Sequence, residues 1–230
     1  MNQLPTPFIK VCGLTSIGHL RAAEGCGAEY VGLITEVPRS PRNLQRAQAA
    51  LLARAAKAKP VMVTTSADAD EIRELASSVQ PRAVQLHGRE FLVDAVRQRL
   101  EGVEVWQVVS VEVDAREPDT AKLAAEIEAA AQAGADKIML DSARAGKAGG
   151  TGVAMDWSVA ARAVELAGPT PVILAGGLDP GNVSEAIQAV RPAGVDVSSG
   201  VEVAPNAKSP ALIRSFFQAV RLVTNGPNST

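Results

Sequence analysis

The amino-acid sequence predicts an α/β protein of the (β/α)8 barrel class, with one barrel domain over residues 1–230. Short apolar runs rich in β-branched residues alternate with helical patterns along the whole chain. There are eight such pairs, and 230 residues fall within the usual size of one barrel. Alternating strands and helices favour a parallel sheet with right-handed crossovers, and eight units without residues for a second domain favour closure.

The eight pairs have defined ends. The predicted strands lie at 8–14, 30–34, 60–65, 83–87, 103–111, 137–142, 171–175 and 194–199. The predicted helices lie at 16–25, 43–57, 68–79, 89–100, 119–133, 156–167, 182–190 and 209–223. Asp68 followed by Glu71 indicates a capping box, and Gly134 indicates the end of the fifth helix. We expect residues 224–230, most of them small and polar, to form a flexible tail.

An open, doubly wound sheet is the alternative fold. It normally uses fewer strands, and its dinucleotide-binding forms carry a G-x-G-x-x-G turn after the first strand. The turn at that place, residues 12–18, has the sequence CGLTSIG, which does not match. The sequence therefore favours the barrel.

Composition excludes several classes of function. The net charge of −2, from 23 basic and 25 acidic residues, gives no basic stripe for nucleic acid, so a small molecule is the expected partner. No apolar run approaches the roughly 20 residues that span a bilayer, and the first residues lack a signal pattern, so we expect a cytoplasmic protein. Cys12 and Cys26 form no C-x-x-C pair, and His19 and His87 are the only histidines. We therefore expect neither a disulfide nor a metal site.

Two glycine turns, LAGGL at 174–178 and DVSSG at 196–200, each follow an apolar strand late in the chain. Peptide N–H groups in such turns can converge on an anion because no Cβ keeps the ligand away. In (β/α)8 barrels the phosphate commonly lies in the loops after the seventh and eighth strands. Either turn alone is equally consistent with an ordinary strand-to-helix connection. Together they predict a phosphate site.

Barrel active sites lie where the strands end, so polar residues at these positions are candidates for catalysis. Cys12 lies near the end of the first strand, where its thiol would face the mouth of the barrel. Alternatively, Cys12 is a small buried hydrophobic residue without a catalytic role. Asp141 ends the sixth predicted strand, before a glycine-rich segment at 143–152 that would suit a mobile cover. Alternatively, Asp141 has a structural role, in which it caps a loop or forms an ion pair with Lys147.

The second and fourth strands add further candidates. Arg42 follows the second strand in a loop that two prolines stiffen, which suits a guanidinium held ready for a carboxylate. A solvated arginine is equally consistent with this pattern, and Arg39 lies in the same loop. His87 and Gln85, in the segment AVQLHG, are further candidates, although a satisfied strand-end histidine is more common than a base.

These residues belong to segments that resemble the phosphoribosylanthranilate isomerase family over nearly the whole chain. The segments are, in order, IKVCGLT (9–15), SPRNL (40–44), AVQLHG (83–88), LDS…GGTG (140–152), DW (156–157), LAGGLDPGNV (174–183) and GVDVSSGVE (194–202). The resemblance implies a (β/α)8 fold and a cofactor-free Amadori rearrangement of N-(5′-phosphoribosyl)anthranilate in tryptophan biosynthesis. Each segment alone is weak evidence for the family, but the whole set in this order is highly specific for it.

The resemblance also implies a role for each candidate. It makes Cys12 the general base, Asp141 the general acid and Arg42 the ligand of the anthranilate carboxylate. It assigns the phosphate to Gly176, Gly177, Ser199 and Gly200. We expect the pKa of Asp141 to be raised and that of Cys12 to be lowered, as their roles require. A monomer or a homodimer is expected.

The chain departs from many family members, which carry phenylalanines after the second and third strands. Here these segments are LITEVPRS at 33–40 and VMVTTS at 61–66, so the wall of the anthranilate ring is not assigned. Two rival functions remain at this point. One is another phosphoribosyl-ligand isomerase on the same barrel, and the other is a non-catalytic phosphate-ligand-binding paralogue.

Overall fold

A computed structural model describes residues 5–88, 92–112, 120–144, 147–148 and 155–225 of the chain. Its main strands, in chain order, are β1 (Phe8–Cys12), β2 (Tyr30–Ile34), β3 (Lys59–Thr64), β4 (Ala83–Leu86), β5 (Glu104–Glu112), β6 (Lys137–Arg144), β7 (Lys147–Ala148), β8 (Val172–Leu174), β9 (Gly194–Val197), β10 (Glu202–Ala204) and β11 (Ala207–Lys208). The helices are α1 (Ile17–Cys26), α2 (Arg46–Ala55), α3 (Ala69–Val79), α4 (Val93–Arg97), α5 (Thr120–Gln132), α6 (Trp157–Leu166), α7 (Val183–Val190) and α8 (Pro210–Asn225). A short 3₁₀ helix covers Ser199–Val201.

Eight parallel strands close into a barrel. The strands β1 to β6 pair in sequence, β6 pairs with β8, β8 with β9, and β9 with β1. The short strands are additions to this ring: β7 pairs antiparallel with the end of β6, and β10 forms a hairpin with β11. The predicted barrel is therefore confirmed, and the open doubly wound sheet is excluded.

The side chains of each strand alternate between two hydrophobic layers. On β1, Ile9 and Val11 belong to the larger cluster between strands and helices, whereas Phe8 and Cys12 belong to the cluster inside the barrel. Because successive strand residues point to opposite faces, Lys10 shares the inward face with Cys12. This alternation decides which residues can reach the site.

An aromatic floor closes the N-terminal end of the barrel. Phe8, Tyr30 and Trp106 pack with ring centroids 4.9 to 6.4 Å apart. The Lys137 ammonium lies 5.0 Å from the Trp106 centroid and forms a 2.6 Å ion pair with Glu104. This end of the barrel is a packed and electrostatically paired core.

One predicted helix and the predicted tail have different bounds in the structure. The helix predicted at 89–100 is only the five residues of α4 among the described residues. The predicted tail begins too early, because α8 continues to Asn225 and the buried Thr224 hydroxyl donates to the Val220 carbonyl at 3.2 Å. The rest of that tail, 226–230, and most of the predicted cover at 143–152 lie outside the described residues. None of the described helices is long and apolar enough to cross a membrane.

Candidate active site

Cys12 is the last residue of β1, and its side chain points into the mouth of the barrel with 6% of its surface exposed. Its cross-strand partner is Gly32 on β2. A Cβ at Gly32 would lie 2.6 Å from the Cys12 Sγ atom, so a side chain there would displace the thiol. The glycine at position 32 therefore provides the space that the thiol occupies.

A buried ion pair lies beside the thiol. The Lys10 Nζ atom is 3.0 Å from the Asp196 Oδ1 atom, and the two side chains are 0% and 8% exposed. Burial disfavours the charged lysine, but Asp196 and Cys12 outweigh burial and raise the pKa of Lys10. The barrel interior therefore holds a permanent cation next to Cys12.

The expected lowering of the Cys12 pKa is not found. Burial raises the pKa of the thiol, and the negative charge of Asp196 acts in the same direction. The cations Lys10 and Lys208 act in the opposite direction but do not outweigh burial. The prediction was wrong because the mouth that receives the thiol also removes it from water.

Asp141 is the fifth residue of β6 and 9% exposed. The strand was predicted to end at 142 but continues to Arg144, because it pairs with β5 as far as Glu112. Burial and the nearby charge of Asp196 raise the pKa of Asp141 to about 7, against opposing effects of Lys10 and the Ser142 N–H group. A substantial fraction of Asp141 is therefore protonated near neutral pH, as a general acid requires.

His87 and Gln85 face the same chamber from β4 and its end. The His87 Nε2 atom is 3.8 Å from the Asp141 Oδ2 atom, which is longer than a hydrogen bond. Burial and the Lys10 charge lower the pKa of His87, so its ring is neutral. Gln85 is 3% exposed and its Oε1 atom has no partner among the described residues. An orphaned buried acceptor costs about 1–3 kcal/mol and needs an explanation, and a ligand in the chamber would provide one for Gln85.

Arg42 lies at the mouth on the loop between β2 and α2. Its Nε and Nη2 atoms donate to the two carboxylate oxygens of Glu202 at 2.7 and 2.5 Å. Its aliphatic stem passes over Gly13, which has a φ of 73° and no space for a Cβ. Arg39 is exposed to solvent. The structure therefore holds Arg42, and not Arg39, next to the residue that follows Cys12.

The turn after β8 contains Gly176 and Gly177, with φ values of 79° and 69°. This left-handed conformation favours glycine. A Cβ at Gly176 would also collide with the backbone nitrogen and hydroxyl of Ser142, just beyond the acid. The Asn182 side chain donates to the Gly177 carbonyl at 2.8 Å and fixes the turn. Among the described residues, no protein acceptor receives the N–H groups of Gly176 and Gly177.

The turn after β9 packs against the first turn. A Cβ at Gly200 would collide with the Leu178 carbonyl, so the two turns touch through their backbones. The Ser198 hydroxyl donates to the carbonyl of Cys12 at 3.2 Å. The predicted phosphate residues Gly176, Gly177, Ser199 and Gly200 therefore lie in one surface, which continues to the thiol.

Four charged residues of the site were not predicted from the sequence: Lys10, Asp196, Glu202 and Lys208. Lys10 and Asp196 stand two residues from Cys12 and Ser198, in otherwise apolar strands. A charge at an inward position of a buried strand was the available signal. Glu202 and Lys208 belong to the β10–β11 hairpin, and no periodicity indicates where such a hairpin folds.

No group of three or more His, Cys, Asp or Glu residues that could hold a metal ion is present in the part of the chain that the structure describes. The alternative pairing of Asp141 with Lys147 involves a side chain outside the described residues. The described ionisable groups around Asp141 are Asp196, Lys10 and His87, of which His87 is neutral. The site therefore brings together a buried acid, a buried thiol, an anchored arginine and two glycine turns.

The chain is similar to known proteins over most of its length. Residues 9–219 match the family model described as N-(5′-phosphoribosyl)anthranilate isomerase. The N-(5′-phosphoribosyl)anthranilate isomerase of Chelativorans sp. (strain BNC1) is 40% identical over 220 residues, which cover 93% of this chain and 95% of that protein.

Solved structures are similar as well. The N-(5′-phosphoribosyl)anthranilate isomerase of Pyrococcus furiosus superposes with a TM-score of 0.79 at 27% identity, covering 94% of this chain and all of that chain. A phosphoribosyl anthranilate isomerase solved with reduced 1-(o-carboxyphenylamino)-1-deoxyribulose 5-phosphate gives a TM-score of 0.75 at 29% identity. That match covers 94% of this chain and 98% of the other.

Proposed function

The chain belongs to the N-(5′-phosphoribosyl)anthranilate isomerase family, and we propose that Cys12 and Asp141 carry its acid and base chemistry. The reaction is the isomerisation of an aldose derivative to a ketose derivative in tryptophan biosynthesis. It converts N-(5′-phosphoribosyl)anthranilate into 1-(2-carboxyphenylamino)-1-deoxyribulose 5-phosphate. The observation that carries the residue assignment is the pKa of Asp141, raised to about 7 inside the same chamber as the Cys12 thiol.

Asp141 is the proposed general acid. Its proton passes to the furanose ring oxygen as the bond between that oxygen and C1′ breaks, and the nitrogen lone pair forms a Schiff base. A carboxyl group with an ordinary pKa would be almost wholly ionised at neutral pH and would have no proton to give. Burial of Asp141 therefore supplies the protonation state that this step needs.

Cys12 is the proposed general base. Its thiolate removes the C2′ proton, and the electron pair left on carbon moves towards the Schiff-base nitrogen to give an enolamine. Ketonisation at C2′ with protonation of C1′ completes the rearrangement. Burial makes the thiolate scarce, but Lys10 next to it favours the ionised form. A thiolate of high pKa is a strong base but is present in only a small fraction of the molecules, so the contribution of Lys10 is to enlarge that fraction.

The two ends of the substrate have separate proposed sites. The phosphate binds to the backbone of the two glycine turns, at Gly176, Gly177, Ser199 and Gly200, where N–H groups that meet no backbone acceptor among the described residues suit an anion. The anthranilate carboxylate binds to Arg42 by charge-assisted hydrogen bonds. Ile34 faces the barrel interior at the end of β2. It offers an aliphatic wall for the ring, where many family members have an aromatic one.

The decisive experiment is a fluorescence assay for consumption of N-(5′-phosphoribosyl)anthranilate. The chain is purified from a host that lacks its own isomerase, so that residual turnover cannot come from a contaminant. We expect saturable turnover without added metal or cofactor. A chain that is stabilised by the product analogue but shows no turnover would be a non-catalytic binder and would overturn the proposal. The partner proposed is a small phosphoribosyl molecule, and a cytoplasmic monomer or homodimer stays a prediction.

A further inference from the structure

A cluster of three buried charges stands at the edge of the site: Arg42, Glu202 and Lys208, with side chains 14%, 4% and 0% exposed. Glu202 is fully engaged. Its Oε1 atom accepts from Arg42 Nε at 2.7 Å and from Lys208 Nζ at 2.7 Å. Its Oε2 atom accepts from Arg42 Nη2 at 2.5 Å and from the Asn206 N–H group at 3.3 Å. Four donors leave this carboxylate no capacity for a ligand.

Lys208 is engaged in the same way. An ammonium group has three N–H donors. One points to Glu202, and the other two point to the carbonyl and the hydroxyl of Ser198 at 2.9 and 3.3 Å. Lys208 therefore ties Glu202 to the residue that also contacts the backbone of Cys12. It holds the cluster together and has no donor left over.

Arg42 is the exception. A guanidinium has five N–H donors, and Glu202 occupies the edge formed by Nε and Nη2. The outer edge, formed by Nη1 and the second proton of Nη2, meets no acceptor among the described residues. This edge has the fork geometry that matches a carboxylate in two parallel bonds.

The charge of the cluster also calls for an anion. Burial opposes ionisation of Glu202, but Arg42 and Lys208 outweigh it and hold its pKa below the usual range. Burial lowers the pKa of Lys208, and Glu202 acts against that effect. When both cations are ionised, Arg42, Lys208 and Glu202 carry a net charge of +1 in a largely buried place. A single carboxylate would neutralise it, because buried charges are stable only when paired.

We propose that Glu202 is a positioning residue, which fixes the plane of Arg42 so that its outer edge faces the aryl carboxylate of the substrate, with Lys208 holding Glu202. This inference rests on the proposed role of Arg42. Without Glu202 the guanidinium would have to be ordered when the ligand binds, and ordering a long side chain reduces affinity. The same contact exists before and during reaction, so the effect belongs to binding and not to the chemical step.

The test is a double-mutant cycle on KM with Arg42→Ala, Glu202→Gln and the double variant. We expect Glu202→Gln to raise KM about tenfold with kcat within about threefold, because it removes orientation and leaves the acid and base in place. The double variant should have the KM of Arg42→Ala alone, since Glu202 acts only through Arg42. Glu104→Gln, which removes a carboxylate paired with Lys137 at the opposite end of the barrel, is the matched control and should keep both constants.

Two ligands separate carboxylate recognition from general damage. Calorimetry with reduced 1-(o-carboxyphenylamino)-1-deoxyribulose 5-phosphate should show the tenfold loss in Glu202→Gln, whereas ribose 5-phosphate, which lacks the carboxylate, should bind as it does to the parent. If Glu202→Gln does not fold, Glu202→Asp keeps the charge and shortens the reach. Glu202→Asp should also lose affinity only for the ligand that carries the carboxylate, and the loss should be smaller than in Glu202→Gln.

The outcomes distinguish this inference from the proposed function. If Arg42→Ala raises KM and Glu202→Gln does not, the positioning role is wrong and Arg42 keeps its assignment. Additive losses in the double variant, or equal losses for both ligands, would show that Glu202 acts on structure in general and would overturn the inference. An unchanged KM in Arg42→Ala would remove the carboxylate site itself, and the positioning role with it.

Discussion

The two ends of the barrel interior use charge in opposite ways. At the aromatic floor, Lys137 is paired with Glu104 and lies over the ring of Trp106. At the mouth, burial raises the pKa values of Cys12 and Asp141, although Lys10 lies beside both groups and acts in the opposite direction. The floor satisfies its charges and contributes stability, whereas the mouth leaves groups with displaced protonation equilibria, which chemistry can use. The difference follows the division in this fold between a stabilising bottom and a catalytic top.

The largest expected effect is on stability and comes from the floor. Trp106→Ala should lower the free energy of unfolding by about 3–5 kcal/mol, because a fully buried aromatic leaves a cavity. Chemical denaturation measures this loss. Trp157→Ala, which removes the chain's other tryptophan from a partly buried place, is the control and should cost less. The KM of Trp106→Ala should be unchanged. If Trp106→Ala changes KM as much as a substitution at the mouth does, the two ends of the barrel do not have separate roles in stability and catalysis.

The next effect is on turnover and comes from the mouth. Cys12→Ser and Asp141→Asn should each lower kcat by about a hundredfold or more, the usual scale for a lost general base or acid. Both variants should stay folded by circular dichroism. Cys26→Ser replaces the other cysteine, at the end of α1, and should keep its activity. Near-parental kcat in both Cys12→Ser and Asp141→Asn would show that the chemistry uses other groups.

Arg42→Ala should act on binding. A charge-assisted hydrogen bond contributes about 1.5–3 kcal/mol, so KM should rise roughly ten- to a hundredfold. Steady-state kinetics on N-(5′-phosphoribosyl)anthranilate give the measurement. Arg42→Lys should restore only part of the affinity, since an ammonium cannot form the paired contact. Arg39→Ala is the control from the same loop, and a larger effect there than at Arg42 would transfer the role to Arg39.

Gly177→Val should abolish binding at the phosphate turn with little effect on the fold. A branched side chain at a φ of 69° adds strain of about 1–3 kcal/mol and keeps the backbone from the ligand. The variant should lose the protection that inorganic phosphate gives the parent against thermal unfolding. Gly168→Val, with a φ of 57° and no atoms near its Cβ, carries similar strain away from the site and should keep that protection. Full protection in Gly177→Val would place the phosphate elsewhere.

The smallest effect is a displacement of the pH profile. The active form needs a protonated Asp141 and an ionised Cys12, and the thiol has the higher pKa. The population of this form rises up to the lower pKa, stays constant between the two and falls above the higher one. The rising limb of kcat/KM should therefore lie at about pH 7, the pKa of Asp141, and the falling limb at the higher pKa of the thiol. Asp196 raises both pKa values, and in Asp196→Asn the freed charge of Lys10 acts in the lowering direction on both. Both limbs should therefore shift to lower pH. Limbs that stay in place would show that Asp196 does not set these protonation states.

The strand-end argument predicted the residues that stand at strand ends and in turns. Cys12, Asp141, Arg42 and the two glycine turns were found this way, because the barrel places all strand ends at one mouth. The charges inside the barrel were not found. Lys10 was not singled out because it lies two residues before the end of β1, below the mouth. Asp196 and Glu202 contact their partners only because the last part of the chain closes the ring against the first part. The predicted direction of the Cys12 pKa shift was wrong for the same reason, because the burial that raises this pKa arises only in the closed barrel.

That closure has a consequence for how the protein is made. The contacts around the base join the two ends of the chain: Lys10 to Asp196 and the Cys12 carbonyl to Ser198 are each separated by 186 residues, and Arg42 and Glu202 by 160. During synthesis, Cys12 and Lys10 on β1 are made well before Asp196 on β9 and Lys208 on β11, the other charges that act on the thiol. Contacts of such long separation form late in folding. The charged surroundings of the thiol are thus complete only when the ring has closed, and a chain that ends before β9 would lack Asp196, Glu202 and Lys208.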